Sequence, residues 1–173
     1  MLFPGIRWKR DSHLAFLMIF KAMPMLIIKY TPVFREKCIE IFKSNLPKFF
    51  TPEELQLFEA FLDHDIEENY FVVQEDGLVL ACGGIFLDEG TDEAGLSWGM
   101  VHAEHHLKGI GKLFTQYRID LLMKVYPGKN YKVDTSQHTA VFYEKNGFKT
   151  VGIVPDGFGK GIDKYMMKMV LKE

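Results

Sequence analysis

The sequence predicts a mixed α/β domain, a single, mostly antiparallel sheet of about seven strands with helices on both faces. Three observations predict it. β-prone and helix-periodic segments follow one another as strand, two helices, three strands, helix, strand, helix, two strands. An Asp-Gly pair, Asp76-Gly77, joins two β-prone runs as a hairpin turn would. The composition supports one core: 173 residues, 47% hydrophobic and 14% aromatic, suit one domain better than two.

The elements follow in order. Met25 to Tyr30, MLIIKY, is a first strand. Thr31-Pro32 then caps a helix with Phe34, Cys38, Ile41 and Phe42 on one stripe. Thr51-Pro-Glu-Glu54 is a second helix start, a threonine cap with glutamate three residues on. Its apolar stripe is Leu55, Phe58, Phe61 and Leu62, and Asp63 to Asn69 is an acidic link. Asn69 to Gln74 and Leu78 to Leu87 form the hairpin, with Cys82-Gly83-Gly84 marking a bulge or a close backbone approach. The next strand ends at Val101 or His102. Ile110, Leu113, Phe114, Tyr117, Leu121 and Val125 then mark a helix that stops before Pro127-Gly128. Asn130 to Ser136 is a strand, and Thr139 to Phe148 a short helix with Asn146-Gly147 as its stop. Lys149 to Val154 and Lys164 to Leu171 are the last strands, with Asp156 to Asp163 as the glycine-rich loop between them.

Lys plus Arg total 21 against 23 Asp plus Glu. That balance gives no global field for nucleic acid or an anionic membrane. Cys38 and Cys82 lie in apolar surroundings and read as two free buried thiols, which suits a cytoplasmic chain; no four-ligand zinc spacing occurs, and no metal is expected. Residues 1–24 read as an extension ahead of a domain spanning 25–173. Leu14 to Phe20 is an apolar run cut short by Lys21, far below the ~20 residues of a membrane span.

The segment that carries function is AEHHLKGIGKLF, Ala103 to Phe114, between a strand and a helix. A helix start leaves four N–H groups without partners, and the macrodipole adds positive charge there. Glycine lets an anion approach those amides, so the stretch reads as a phosphate cradle. The third glycine of the dinucleotide fingerprint and the Gly-Lys-Ser/Thr of the triphosphate P-loop are both missing.

His106-Leu-Lys-Gly109-Ile-Gly111 resembles the acyl-CoA signature of the GNAT superfamily of N-acyltransferases, Arg/Gln-x-x-Gly-x-Gly/Ala, with His106 in the Arg/Gln position. Asp134 to Phe148, DTSQHTAVFYEKNGF, resembles the family's fifth strand, following helix and Tyr-x-x-x-Gly-Phe signature. The resemblance runs from Met25 to Leu171. It implies the acyl-CoA N-acyltransferase fold, with splayed strands 4 and 5 and acetyl-CoA in the gap. Met100 and Val101 would offer backbone groups to the pantetheine, and His106, Lys108, Gly109, Ile110, Gly111 and Lys112 would hold the pyrophosphate. Gln137 and Phe142 would flank the thioester end.

The same resemblance assigns Tyr143 as the general acid for the departing thiolate and the Val101 amide as the oxyanion donor. It implies N-acetyl transfer to a primary amine, of a small molecule in the leading version. A protein or peptide N-acetyltransferase and a non-catalytic acyl-CoA sensor are the alternatives, and a homodimer is the expected assembly. Strand four offers Trp98, Met100 and His102, none of them a carboxylate to act as base. His102 reads equally as base or structural residue, and His105 and His106 as solvated turn residues. Glu53 and Glu54 read as capping residues first and acceptor-site residues second. Trp98, Phe49, Phe50 and Phe58 are core aromatics by default, or the wall of an acceptor pocket.

Overall fold

A computed structural model describes residues 24–66 and 69–169. The predicted extension lies outside them except for Pro24, as do part of the acidic link and the end of the last strand at Leu171. The chain runs β1 (Leu26–Lys29), a 3-10 turn, α1 (Arg35–Ser44), α2 (Glu54–Ala60), β2 (Tyr70–Glu75), β3 (Leu78–Asp88) and β4 (Glu93–Val101). It continues through α3 (Ile110–Val125), β5 (Asn130–Ser136), α4 (Ala140–Glu144), β6 (Phe148–Gly159) and β7 (Ile162–Met169). The strands form one seven-stranded sheet in the order β1-β2-β3-β4-β5-β7-β6. Every pairing is antiparallel except β4 with β5.

Alternation along the strands builds a core on each face. Tyr70, Val72, Cys82 and Met100 pack with Cys38, Ile39, Ile41, Phe42, Phe58 and Leu62 of α1, α2 and the turn after α2. Phe71, Val73 and Ala81 point the other way, onto Ile110 and Phe114 of α3. Farther along that face, Leu96 and Val133 meet Ile119 and Leu122 of α3 and Ala140 and Tyr143 of α4. Cys38 and Cys82 are both buried and free, as expected.

The hairpin turn falls at Asp76 and Gly77, with φ of 49° and 81°, the left-handed pair that such a turn requires. Half of the expected cap forms: Thr51 N–H donates to Glu54 Oε2 at 2.8 Å, while no side chain accepts from the first amides of α2. Two further expectations need correction. The segment from Asp156 to Asp163 is mostly strand, because β6 runs to Gly159 and Gly159 pairs with Ile162. Asp156 and Asp163 tie this hairpin's turn: Asp163 Oδ1 accepts from Asp156 N–H at 2.9 Å, and Asp156 Oδ1 accepts from Gly161 N–H. The buried stripe of α3 is also rotated from the predicted one. It comprises Ile110, Phe114, Thr115, Arg118, Ile119 and Leu122, while Leu113 is 50% exposed.

Candidate active site

β4 and β5 pair over only three residues: Glu93 with Asn130, Ala94 with Tyr131, Gly95 with Lys132. From Leu96 and Val133 onward no pairing joins them, and a cleft of about 580 Å³ opens there. Lys132 holds the closed end, its ammonium 2.8 Å from Asp88 and 3.4 Å from Glu93. Hydrogen bonds from Lys132 and Thr91 keep the Asp88 carboxyl down at about 2. A bulge bends β4 beside the cleft, where Gly83 of β3 faces two residues, Trp98 and Gly99. Trp98 takes φ 39° there, an uncommon conformation for a bulky residue.

At the open end the helix α3 begins. Its first backbone bond runs from Leu113 N–H to Gly109 C=O at 3.1 Å, so the amides of residues 109–112 have no partner within the helix. No side chain caps this end, and no acidic residue stands in the first turn. Gly109 enters the helix at φ 85°, where only glycine sits without strain. Lys108 and Lys112 are exposed beside it, and neither pairs with a carboxylate among the described residues. The predicted stretch therefore forms an uncapped, electropositive backbone end.

The other predicted site residues divide. Phe142 and Tyr143 line the cleft. Tyr143 is 7% exposed, its ring edge-on to Phe142 and Phe148 at 5.2 and 5.8 Å, and its hydroxyl has no partner among the described residues. His102 N–H donates to Leu80 C=O at 2.8 Å, so ladder alternation turns Met100's backbone toward β3 and Val101's into the cleft. Val101 C=O already accepts from Asn45 Nδ2 and bonds His106 Nε2, each at 2.9 Å, which leaves its N–H as the strand-four donor. Met100 reaches the cleft without offering its amide. Gln137 stands apart. Its amide donates to Gly161 C=O at 2.8 Å and accepts from Asp163 N–H at 3.0 Å, so it clamps the β6–β7 hairpin and does not line the cleft.

His106 is half-buried, bonded to Val101 and edge-on to Phe49 at 5.4 Å, which corrects its reading as a solvated turn residue. His102 takes the structural role: its Nδ1 accepts from Glu104 N–H at 3.3 Å and caps the turn Ala103–His105. His102, Glu104 and His105 also bring one donor atom each within 4.8 Å of one another, a grouping the sequence reading did not single out.

On the α1–α2 side the cleft is walled by Phe49, Phe50, Trp98 and Phe158. Phe50 stacks on Trp98 at 6.4 Å. The β6–β7 hairpin closes over this side, with Phe158 C=O accepting from Thr51 Oγ1 at 3.4 Å. Glu54 lines the same wall at 7% exposure. Burial pushes its carboxyl up, and the Thr51 donors partly offset that. On the opposite face the cleft is lined by Phe114, Thr115 and Arg118 of α3. Arg118 escaped the sequence reading, although its position four residues after Phe114 and four before Leu122 is an inward one.

The acetyltransferase (GNAT) domain model matches residues 67–150. No curated protein sequence matches the chain. Among solved structures, the ribosomal-protein-S18-alanine N-acetyltransferase from Escherichia coli superposes with a TM-score of 0.68 at 18% identity, covering 87% of this chain and 97% of that one. A GCN5-related N-acetyltransferase from Kribbella flavida gives 0.68 at 16% identity, over 85% and 98%. An aminoglycoside 6'-N-acetyltransferase complexed with coenzyme A gives 0.63 at 16% identity, over 86% and 99%. At these identities the likeness is one of fold.

Proposed function

We propose that this chain, which resembles the GNAT acetyltransferases in the domain matched at residues 67–150 and in its fold, transfers an acetyl group from acetyl-CoA to the primary amine of a small molecule. The carrying observation is one cleft with the uncapped start of α3 at its mouth and Tyr143 within it. The unpartnered amides and Gly109 suit a pyrophosphate. The strand gap suits the pantetheine arm, with the Val101 N–H as its backbone donor.

A neutral amine nitrogen attacks the thioester carbonyl carbon. The C–N bond forms, the carbonyl oxygen takes negative charge beside the backbone donor, and the C–S bond then breaks. Tyr143 gives its phenolic proton to the departing sulfur, the new amide nitrogen loses its proton, and the phenol is restored. The products are an N-acetyl amide and free CoA. Glu54 is the carboxylate on the acceptor wall, where it attracts an ammonium, and its raised pKa suits it to take a proton. Closure of the aromatic wall by Phe158 and Thr51 favours a small amphipathic acceptor over a protein segment, which needs an open groove.

The test is Tyr143→Phe, assayed by release of free thiol across an amine library. Turnover should fall by about 10²–10⁴-fold, while CoA still raises the melting temperature as it does for the native chain. Equal turnover in the variant removes Tyr143 from the chemistry. Ligand-induced stabilisation without turnover, across amine and peptide panels alike, replaces the enzyme with an acyl-CoA sensor.

A further inference from the structure

The α3 side of the cleft holds a charge that the acetyl-transfer reading does not use. Arg118 is 2% exposed and lines the cleft. Its guanidinium lies over the Phe114 ring, 4.9 Å from the centroid. Nη2 donates to Thr115 Oγ1 at 3.2 Å, while Nε and Nη1 are buried with no hydrogen-bond partner. No carboxylate pairs with Arg118 among the described residues.

The sheet is shaped around this group. A Cβ on Gly99 would stand 2.5 Å from Nη2, and one on Gly83 would stand 2.8 Å from Nη1. Two facing glycines at the β3–β4 bulge thus give the guanidinium its place. An arginine carries its charge at any physiological pH, and a buried charge without a partner is among the most costly features a fold can keep. Its missing partner is an anion that enters with a ligand.

The position says which ligand. Arg118 lies eight residues along α3 from Ile110, roughly 12 Å down the helix axis, between the cradle at the mouth and the closed end at Gly95. Thr115, Leu96, Val133 and Tyr143 line the cleft with it. A thioester arm held at the start of α3 and running inward brings its acyl group to this depth. The acceptor wall of Phe50, Trp98 and Glu54 is built from the other face of the sheet, so a carboxylate on the acceptor is the poorer match.

We propose that the acyl donor this cleft selects ends in a carboxylate: it is the CoA thioester of a dicarboxylic acid, whose free carboxylate pairs with Arg118. Nε and Nη1 both lack an acceptor, a carboxylate supplies acceptor oxygens and the opposite charge, and the Thr115 hydroxyl lies beside the group. Transfer follows the route given above, with the distal carboxylate unchanged and a carboxyacyl amide as product. The inference rests on the acyl-CoA part of that reading and replaces its acetyl group with a carboxyacyl one.

Binding to the full chain tests it without knowledge of the acceptor. Calorimetric titrations would compare CoA, acetyl-CoA, the malonyl, succinyl and glutaryl thioesters, and the propionyl, butyryl and pentanoyl thioesters of matching carbon count. At least one carboxyacyl thioester should bind about tenfold or more tighter than its neutral counterpart, as expected for a buried charge pair. In Arg118→Met and Arg118→Gln that ratio should fall to about one. Carboxyacyl thioesters that bind no tighter than neutral ones, in a native chain that binds CoA, overturn the proposal and leave the acyl-CoA reading intact. A loss in the variants that is equal for acetyl and carboxyacyl donors also overturns it, and assigns Arg118 to the shared thioester. Failure to bind CoA at all removes both. The native ratio decides even if the variants fold poorly.

Discussion

Two buried charges face the same cleft from opposite sides of the sheet, and they are held differently. Glu54, on the α1–α2 side, has one oxygen fixed by the Thr51 N–H at 2.8 Å and by the Thr51 hydroxyl at 3.3 Å. It closes half of a helix cap while it lines the acceptor wall. Arg118, on the α3 side, gives one hydrogen bond to Thr115 and leaves two nitrogens without partners. Both are buried. The difference is that the fold explains Glu54 almost completely and leaves Arg118 unexplained. A charge with a local structural partner is weak evidence for a ligand, whereas one that the fold buries and leaves unpaired points to something absent from the chain itself.

Four substitutions bear on this contrast. The largest effect should come from Gly83→Ala. The new Cβ would stand 2.9 Å from the Gly99 Cα, a backbone atom that cannot yield, as well as meeting Arg118. A stability loss of about 3 kcal/mol is expected from such overpacking, read from urea denaturation midpoints. Gly99→Ala meets chiefly the flexible guanidinium and should lose less; a greater loss there would mean that the guanidinium is fixed rigidly.

Arg118→Met should come next, with the opposite sign. Removing an unpaired buried charge while keeping an apolar stem should stabilise the ligand-free chain by about 1–2 kcal/mol. A loss of stability in the same denaturation series would show that Arg118 serves the fold after all, and the contrast with Glu54 would disappear.

The smallest effect is a pH slope at Glu54. Burial raises its folded pKa above the unfolded value. Its contribution to stability is therefore fullest below the ordinary carboxylate range, near pH ~4, and fades as pH rises through the raised folded value. Glu54→Gln stays neutral throughout, so its stability relative to the native chain should improve as pH increases. A constant difference across the same range would mean that the Thr51 donors fully offset the burial.

Some of the molecule was legible from residue order alone. Asp76-Gly77 specified a turn because few residues accept two successive left-handed conformations. Thr51 and Glu54 specified the half of the cap that forms because the bonds they make are local. The uncapped helix start at Gly109 to Lys112 was legible for the same reason, since unpartnered amides there are a property of the backbone. Tyr143 was placed in the cleft by its resemblance to a family pattern, and the cleft does contain it.

What depended on distant partners was not legible. Gln137, expected at the thioester, is claimed by Gly161 and Asp163 across the β6–β7 hairpin. His106, expected in solvent, reaches back to the Val101 carbonyl. The stripe of α3 was misplaced because Leu113 suggested an apolar face, while Arg118 occupies an inward position that the sequence marks as polar. By itself, then, the sequence determined the order of elements, their local turns and caps, and the electropositive start of α3, all set by dihedral preference and near-neighbour hydrogen bonds. Only the tertiary structure decided how far β4 and β5 separate, which helix face turns inward, and that Glu54 and Arg118 confront one cleft. Those outcomes follow from packing and burial between residues far apart in the chain, where the same side chain is either a solvated charge or a buried one.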